Sequence, residues 1–348
     1  MKLCTFKTGR EQRVGVLMEN GKILDVNYGY AAALKAAGKA KPQERADVMT
    51  PPCMVGVIES GEEGKDCIRE AMDYAAKNPD AAGPEGEKLL YATDEITYMA
   101  PIPAPSKIFS IAINNRQKYE IADLPDGPKH PYYFIKVPTC VVGPYDTLEI
   151  PEEIGNVGSE SEMAFVIGKK GRFVDEKDAE SYVYGYTVHN DLTAHWLRDN
   201  REWIVSKRSA EEGGDKRLTY AGRYKCYDSF APMGPYLVTA DEIEDVNNLD
   251  IDAWLDGEHI QTGNTRDMFF KIPYLISYLS GAHTLCAGDI VSWGTVQGGD
   301  EKHAEKRKDI KVKFQHVDLG KGKVLTTEVE GIGKIENPIK VISDKMIK

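Results

Sequence analysis

Residues 158–193, GSESEMAFVIGKKGRFVDEKDAESYVYGYTVHNDLT, constrain this chain more than any other stretch. Within them ESEMAFVIG reads as a strand. Side chains alternate faces in a strand, so Glu160, Glu162, Ala164 and Val166 share one face, and Ser161, Met163, Phe165 and Ile167 take the other. Both faces turn apolar within a few residues, which predicts a strand covered on both sides. Two carboxylates entering such a surface repel each other and lose hydration, and so need a cation. Asp191, just past the strand-like run YVYGYTVHND, offers a third carboxylate. An all-carboxylate set selects a hard ion such as Mg²⁺, Mn²⁺ or Ca²⁺ over zinc. The pair Glu160 and Glu162 alone does not decide this, because an exposed strand end with two solvated glutamates has the same spelling.

Length and charge narrow the setting. A chain of 348 residues is long for one core, and with 41% hydrophobic residues it can bury a large interior. A net charge of −11 argues against nucleic acid as a partner. No apolar run reaches the roughly 18 residues of a membrane span, so no membrane is expected. The N-terminal residues 2–13 hold no long apolar stretch, so no signal peptide is expected either. The six cysteines are scattered without a C-x-x-C pair, which fits free thiols in a reducing, cytoplasmic setting.

Read in order, residues 1–100 form a small N-terminal α/β appendage: two or three strands with a turn at Asn20-Gly21, a helix from about Tyr30 to Ala37, and another from about Glu62 to Ala76. The Pro-rich run Ala100-Pro101-Ile102-Pro103-Ala104-Pro105 neither continues a helix nor pairs fully in a sheet and marks the boundary to a larger domain, 101–348. There, runs such as KIFSIAI, HPYYFIKVP, DSFAPMGPYLVT and GDIVSWGT read as strands, with a hairpin at Asp256-Gly257 and a short helix near Glu176–Tyr182. Met268, Phe269, Ile272, Leu275, Ile276 and Leu279 are spaced as one face of a packed helix. From Leu192 the pattern turns helical, with Asp191 or Thr193 as its cap. The polar residues 199–224 form an insertion beside the acidic strand, read either as a lid or as a solvated surface excursion. The fold class is therefore α+β, mainly β; strands and helices do not alternate regularly enough for a doubly wound sheet.

The E-S-E strand, GYTVHNDLTA, KCYDSFAPMGP, QTGNTRDM, GDIVSWGT and the closing EGIGKIENPI occur in an order that resembles the fumarylacetoacetate hydrolase family over roughly residues 105–342. The resemblance implies a β-roll catalytic domain, a bound Mg²⁺ or Mn²⁺, a homodimer, and a small-molecule 2-oxo or 1,3-diketo acid substrate. It implies Glu160, Glu162 and Asp191 as metal ligands, Lys225 beside the substrate, and Thr295 against its carboxylate. Tyr133 and Lys136, in YYFIKVP, belong to a segment that lies near the site in the family. The chemistry fits these residues. A metal held by three carboxylates keeps open positions where a 2-oxo acid can chelate, and as a Lewis acid it stabilises an enolate. C–C hydrolysis of an acylpyruvate-type substrate is the expected reaction on family frequency. Dehydration of a 2-keto-3-deoxy sugar acid, decarboxylation and isomerisation are the alternatives, and a catalytically silent binding protein is the reading from outside enzymology.

Two departures from the family pattern bear on that choice. Many members carry N-Y-x-x-H-x-x-E, whose His and Glu activate water. Here Lys118 stands at the His position and Ile121 at the Glu position. The dyad is absent as written, with Lys118 or Glu120 as possible replacements for the base and an ordinary surface lysine as the plainer reading. This weakens hydrolysis and favours reactions that need only an enolate. The family's N-D-x-[ST]-A-R normally offers an arginine to the substrate carboxylate, where this chain has His195. Arg198 or Arg201 is expected to supply the guanidinium instead, with His195 either an acid/base or a space-filling residue bonded to backbone. His189, next to Asn190-Asp191, is the other histidine of interest.

Overall fold

In the computed structural model, which describes residues 1–115, 128–211, 213–296 and 317–343, the acidic strand runs from Ser161 to Ile167 and every one of its residues is buried. The expected alternation holds. Ala164 and Val166 pack into one core with helices of the first hundred residues, while Met163, Phe165 and Ile167 pack into a second core on the opposite face. Burial on both faces explains why this strand lacks the polar–apolar alternation of a sheet wetted on one side.

The strand lies inside a mostly antiparallel sheet of twelve strands among the described residues. Its backbone order is Leu90–Tyr91, Ile23–Asp25, Glu11–Leu17, Lys2–Thr8, Ala231–Thr239, Val183–Asn190, Ser161–Ile167, Ile290–Ser292, Ile108–Ala112 and Tyr132–Lys136. Two short strands attach at its sides, Thr97–Tyr98 beside Lys2–Thr8 and Val141–Val142 beside Ala231–Thr239. The strands of residues 1–100 continue the sheet of the larger region through the pairing of Lys2 with Val238 and Leu3 with Leu237. Thr5 donates its hydroxyl hydrogen to the Pro101 carbonyl at 2.6 Å, so the Pro-rich run is pinned to the same edge. A second sheet, ordered Glu258–Asn264, Asp250–Leu255, Val324–Val329, Gly333–Ile342 and Leu148–Pro151, packs over the first. The helix Ile272–Ala282 seals the core between them with Leu275, Ile276 and Leu279.

Local expectations mostly hold and fail for identifiable reasons. The Asn20-Gly21 turn joins Glu11–Leu17 to Ile23–Asp25. Asp256 and Gly257 both take positive φ and close the Asp250–Leu255/Glu258–Asn264 hairpin. The two expected N-terminal helices are Val26–Ala36 and Gly61–Lys77, and the shorter helices Pro42–Met49 and Met54–Glu59 lie between them. Glu176–Tyr182 is a 3-10 helix. The helix expected from Leu192 begins only at His195, and neither Asp191 nor Thr193 caps it. Thr193 and Ala194 instead pair as a short strand with Gly158 and Val157, a tertiary contact that overrides helical spacing. Residues 199–224 contain an antiparallel hairpin, Trp203–Ser206 with Lys216–Thr219, on the exposed side of the candidate site.

The closest approach in the central sheet is at Gly185, between Val183–Asn190 and Ala231–Thr239. A Cβ there would lie 2.2 Å from the Val238 carbonyl oxygen, and backbone in a paired strand cannot yield. Gly185→Ala is therefore expected to cost about 1–3 kcal/mol, read as a lower denaturant midpoint with an unchanged slope.

Candidate metal centre

Register brings the three carboxylates together. Ser161 pairs with Asn190 and Glu162 with His189, so Glu160 and Asp191 extend from the same end of neighbouring antiparallel strands. The Asp191 N–H donates to the Glu160 carbonyl at 2.8 Å and locks that end. One oxygen from each of Glu160, Glu162 and Asp191 lies within 4.8 Å of the others. Glu162 and Asp191 are buried, while Glu160 is partly open toward a cavity of about 380 Å³.

Each ligand is held from behind. Glu162 accepts hydrogen bonds from the Ser292 hydroxyl and from the Gly294 N–H at 3.1 Å. Asn190 accepts from the Glu160 N–H at 3.0 Å and donates to the hydroxyls of Ser159 at 2.7 Å and Thr327 at 2.9 Å, tying the acidic strand to the second sheet. Gln261 accepts from the Ser161 N–H at 3.0 Å and donates to the Thr295 hydroxyl at 2.8 Å. Thr295 thereby reaches the cavity wall.

Two lysines balance the acids. The Lys225 ammonium lies 2.7 Å from Glu160 Oε2 and 2.8 Å from Asp191 Oδ2. It also stands over the Phe134 ring at 5.2 Å. Lys136, fully buried, donates to Asp191 Oδ1 at 2.6 Å and to the Lys225 carbonyl. Burial alone would push the Asp191 carboxyl up, but Lys136 and Lys225 outweigh it and hold the group down at about 2. Burial alone would lower Lys225, but Asp191 and Glu160 outweigh it and keep it firmly protonated. In this arrangement Lys225 is an ammonium, not a free-base lysine. Among the described residues no ammonium lies against Glu162. Burial first, then Asp191 and Glu160, push its carboxyl up to about 8. With all three ionised, the carboxylates would exceed the two ammoniums by one charge, and the raised Glu162 carboxyl holds a proton in place of that excess. A hard divalent cation suits this donor set, since it restores the Glu162 carboxylate and offsets that excess.

The other expected residues separate into groups. Arg198 lines the cavity. Lys136 does not contact the cavity; it supports Asp191 from beneath. Tyr133 points to the opposite face of its strand, where its hydroxyl pairs with His283 Nε2 at 2.8 Å and its ring meets Phe109 edge-on. The cavity residue is its neighbour Phe134. Alternation from Lys136 selects Phe134 over Tyr133, because residues two apart share a face. His195 is not a cavity residue either. Its ring rests on Gly158, where a Cβ would lie 2.3 Å from Nε2. Arg201 lies over the Trp196 ring at 5.7 Å, away from the cavity. His189 is buried against the Pro232 carbonyl, 3.2 Å from Nδ1, and burial pulls it down to about 4, so it is neutral. Lys118 and Glu120 lie outside the described residues. Sequence reasoning missed Ser292, Asn190 and Gln261, whose roles arise from strand register, and the cavity residues Thr219, Ala221 and Tyr224, which the end of the hairpin and the turn before Lys225 bring to the wall.

Adding Mn²⁺ or Mg²⁺ is expected to raise the melting temperature, because an ion at one hundred times its Kd stabilises the fold by about 2.7 kcal/mol. Glu162→Gln keeps the shape and removes a ligand charge. It is expected to abolish that rise while leaving the melting temperature of the metal-free protein nearly unchanged.

Comparison with known proteins agrees with this geometry. The C-terminal domain model of fumarylacetoacetate (FAA) hydrolase matches residues 107–340. The mitochondrial oxaloacetate tautomerase Fahd2a of Rattus norvegicus is 32% identical over 295 residues, 84% of this chain and 81% of the relative. The oxaloacetate tautomerase YisK of Bacillus subtilis is 32% identical over 301 residues, 86% of this chain and 89% of the relative. Among solved structures, the maleylpyruvate hydrolase of Sphingobium sp. SYK-6, in complex with manganese(II) and pyruvate, shares the fold with a TM-score of 0.65 at 24% identity, covering 98% of this chain and 99% of the other. With a family match across two thirds of its length and tautomerases 32% identical over 84% and 86% of it, this chain belongs to the fumarylacetoacetate hydrolase family.

Proposed function

We propose that this protein is a divalent-metal-dependent tautomerase of a 2-oxo acid, with oxaloacetate as its substrate. The observation that carries the proposal is the Lys225 ammonium placed on Glu160 and Asp191 at the wall of a cavity that the three carboxylates share. Keto–enol exchange takes a proton from the carbon beside the carbonyl, moves the electron pair onto the carbonyl oxygen, and places a proton there. Negative charge on that oxygen is what the site must stabilise. Glu160, Glu162 and Asp191 would hold Mg²⁺ or Mn²⁺, which supplies Lewis acidity toward the 2-oxo-acid group. Lys225 sets a fixed positive charge beside that position. Lys136 keeps Asp191 oriented and ionised. Thr295, fixed by Gln261, offers a hydroxyl to the substrate carboxylate.

Tautomerisation ranks ahead of C–C hydrolysis because it needs no activated water. The positions of the water-activating pair hold Lys118 and Ile121. The two tautomerases aligned above support the same order, each 32% identical over more than four fifths of both chains. Decarboxylation and dehydration use the same enolate but have no relative among these to favour them.

The test follows the enol absorbance after enol-oxaloacetate is added to the Mn²⁺-loaded protein. Faster decay than in buffer with Mn²⁺ alone is expected, without release of pyruvate. Lys225→Met is expected to keep Mn²⁺ binding and lower kcat about 10²-fold or more, the usual effect of removing a group that stabilises an oxyanion. Enol decay at the buffer rate, or cleavage of acylpyruvates in its place, would refute the proposal.

A further inference from the structure

Cys140 and Cys226, far apart in the sequence, meet in space beside Lys225. Cys140 ends the 3-10 turn Pro138–Cys140, just past the edge strand Tyr132–Lys136, and Cys226 directly follows the 3-10 turn Arg223–Lys225. Their side chains are hydrogen-bonded to each other. Cys140 is fully buried in the core shared with the N-terminal helices, and Cys226 packs against that core while staying partly exposed. The two sulfurs are chemically unequal. The hydrogen bond from Cys140 holds the Cys226 thiol down at about 6 against the opposing effect of burial, with the Val137 N–H and Lys136 acting in the same direction as Cys140. Cys140 is pushed up, first by that hydrogen bond and then by burial. A partly exposed thiolate against a buried thiol lets the first sulfur meet an oxidant and the second resolve the product.

We infer that Cys140 and Cys226 are a reversible oxidation site for hydrogen peroxide, and that closing them into a disulfide loosens the carboxylate cluster. The Cys226 thiolate attacks one peroxide oxygen: an S–O bond forms, the O–O bond breaks, and the departing hydroxide takes up a proton as water. Cys140 then gives up its proton and attacks the Cys226 sulfenic sulfur: the S–S bond forms, the S–O bond breaks, and a second water leaves. Two thiols lose two electrons and two hydrogens, and the peroxide gains them. A disulfide holds its sulfurs about 2 Å apart, closer than any hydrogen bond, so one of the two turns must move. Cys140 is the fixed side. Its N–H donates to the Val137 carbonyl at 3.1 Å, and the next residues, Val141 and Val142, pair with Ala231 and Pro232 of the central sheet. Cys226 sits at the end of a single 3-10 turn, its N–H donating to the Arg223 carbonyl at 3.1 Å. Drawing Cys226 inward carries the Lys225 carbonyl with it. That carbonyl accepts from Lys136, whose ammonium also holds Asp191 Oδ1 at 2.6 Å. The Lys225 ammonium itself bridges Glu160 and Asp191 at 2.7 and 2.8 Å. The disulfide therefore acts on two of the three carboxylates through both lysines, whichever reaction the cluster serves.

Hydrogen peroxide in small excess over the metal-free full chain tests this, read first by mass and then by Mn²⁺ binding. The expected product is a monomer lighter by two hydrogens, with a Cys140–Cys226 linked peptide in a non-reducing digest and full reversal by dithiothreitol. Cys140→Ala is expected to stop at the Cys226 sulfenic acid, which dimedone traps, and Cys226→Ser to give neither the link nor the adduct. Calorimetric titration of Mn²⁺ is expected to show about ten-fold weaker binding to the disulfide form than to the reduced form, the usual effect of disturbing groups that orient metal ligands. Reduction and desalting should restore the affinity, and peroxide should leave it unchanged in Cys226→Ser. Absence of the linked peptide, a link formed through the exposed Cys53 in its place, or oxidation of Cys226 beyond the sulfenic acid without a link would overturn the oxidation site. A disulfide form that binds Mn²⁺ as tightly as the reduced form would overturn its action on the cluster. A reduced protein that binds no Mn²⁺ overturns the metal centre and the coupling together, while the linked peptide still decides the oxidation site. Neither readout involves oxaloacetate, so failure of the proposed reaction is seen separately.

Discussion

Three carboxylates crowded at one end of two buried strands are the constraint on which the surrounding structure depends. At this spacing each repels the others, and burial removes the water that would screen them. Lys136 and Lys225 answer part of that repulsion and leave Glu162 without a cation of its own. A hard divalent cation at this cluster would relieve repulsion that the fold imposes on the three carboxylates.

Holding such a cluster requires rigid support, and the support comes from backbone pairing more than from loops. Glu160 and Asp191 are set by the antiparallel ladder between Ser161–Ile167 and Val183–Asn190. Glu162 is set by Ser292 and Gly294 at the end of the next strand. Asn190 and Gln261 join these strands to the second sheet, so that displacement of either sheet would disturb the ligands. The two cores on either side of the acidic strand explain how charged groups reach such a depth: the apolar packing around Met163, Phe165 and Ile167, and around Ala164 and Val166, fixes the strand independently of the cluster. By contrast, the wall with Arg198 and Thr219 is built from a short helix and an exposed hairpin. A rigid carboxylate end and a more exposed distal wall suit a family whose members are named for different substrates, because the distal wall can change without disturbing the carboxylates.

The shared face of Glu160 and Glu162 was legible in the chain because strand periodicity is a local property. Two glutamates two apart at the head of an apolar run must share a face, and nothing distant can alter that parity. The same rule applied from Lys136 selects Phe134 and rejects Tyr133, so that error lay in the use of the pattern and not in the pattern. The positions of Lys118 and Ile121 could also be read directly, as could the hairpin at Asp256-Gly257, whose residues tolerate positive φ.

What only the tertiary structure decided is which side chains meet across strands that are far apart in sequence. His195 and Arg198 sit three apart on one short helix, and spacing alone could not tell which one faces the substrate. The pairing of Thr193 and Ala194 with Gly158 and Val157 brings the His195 ring onto Gly158, and Arg198 is the one of the two that reaches the cavity. Ser292, Gln261 and Lys136 act through registers set by sheet assembly, which depend on packing summed over the whole core. The sequence by itself determined a mainly β fold and a shared face for Glu160 and Glu162, because alternation is a property of neighbouring residues, while Asp191 joined them as a candidate through the family resemblance. The distal wall of the cavity is a property of how the sheets, the hairpin and the short helix close on one another.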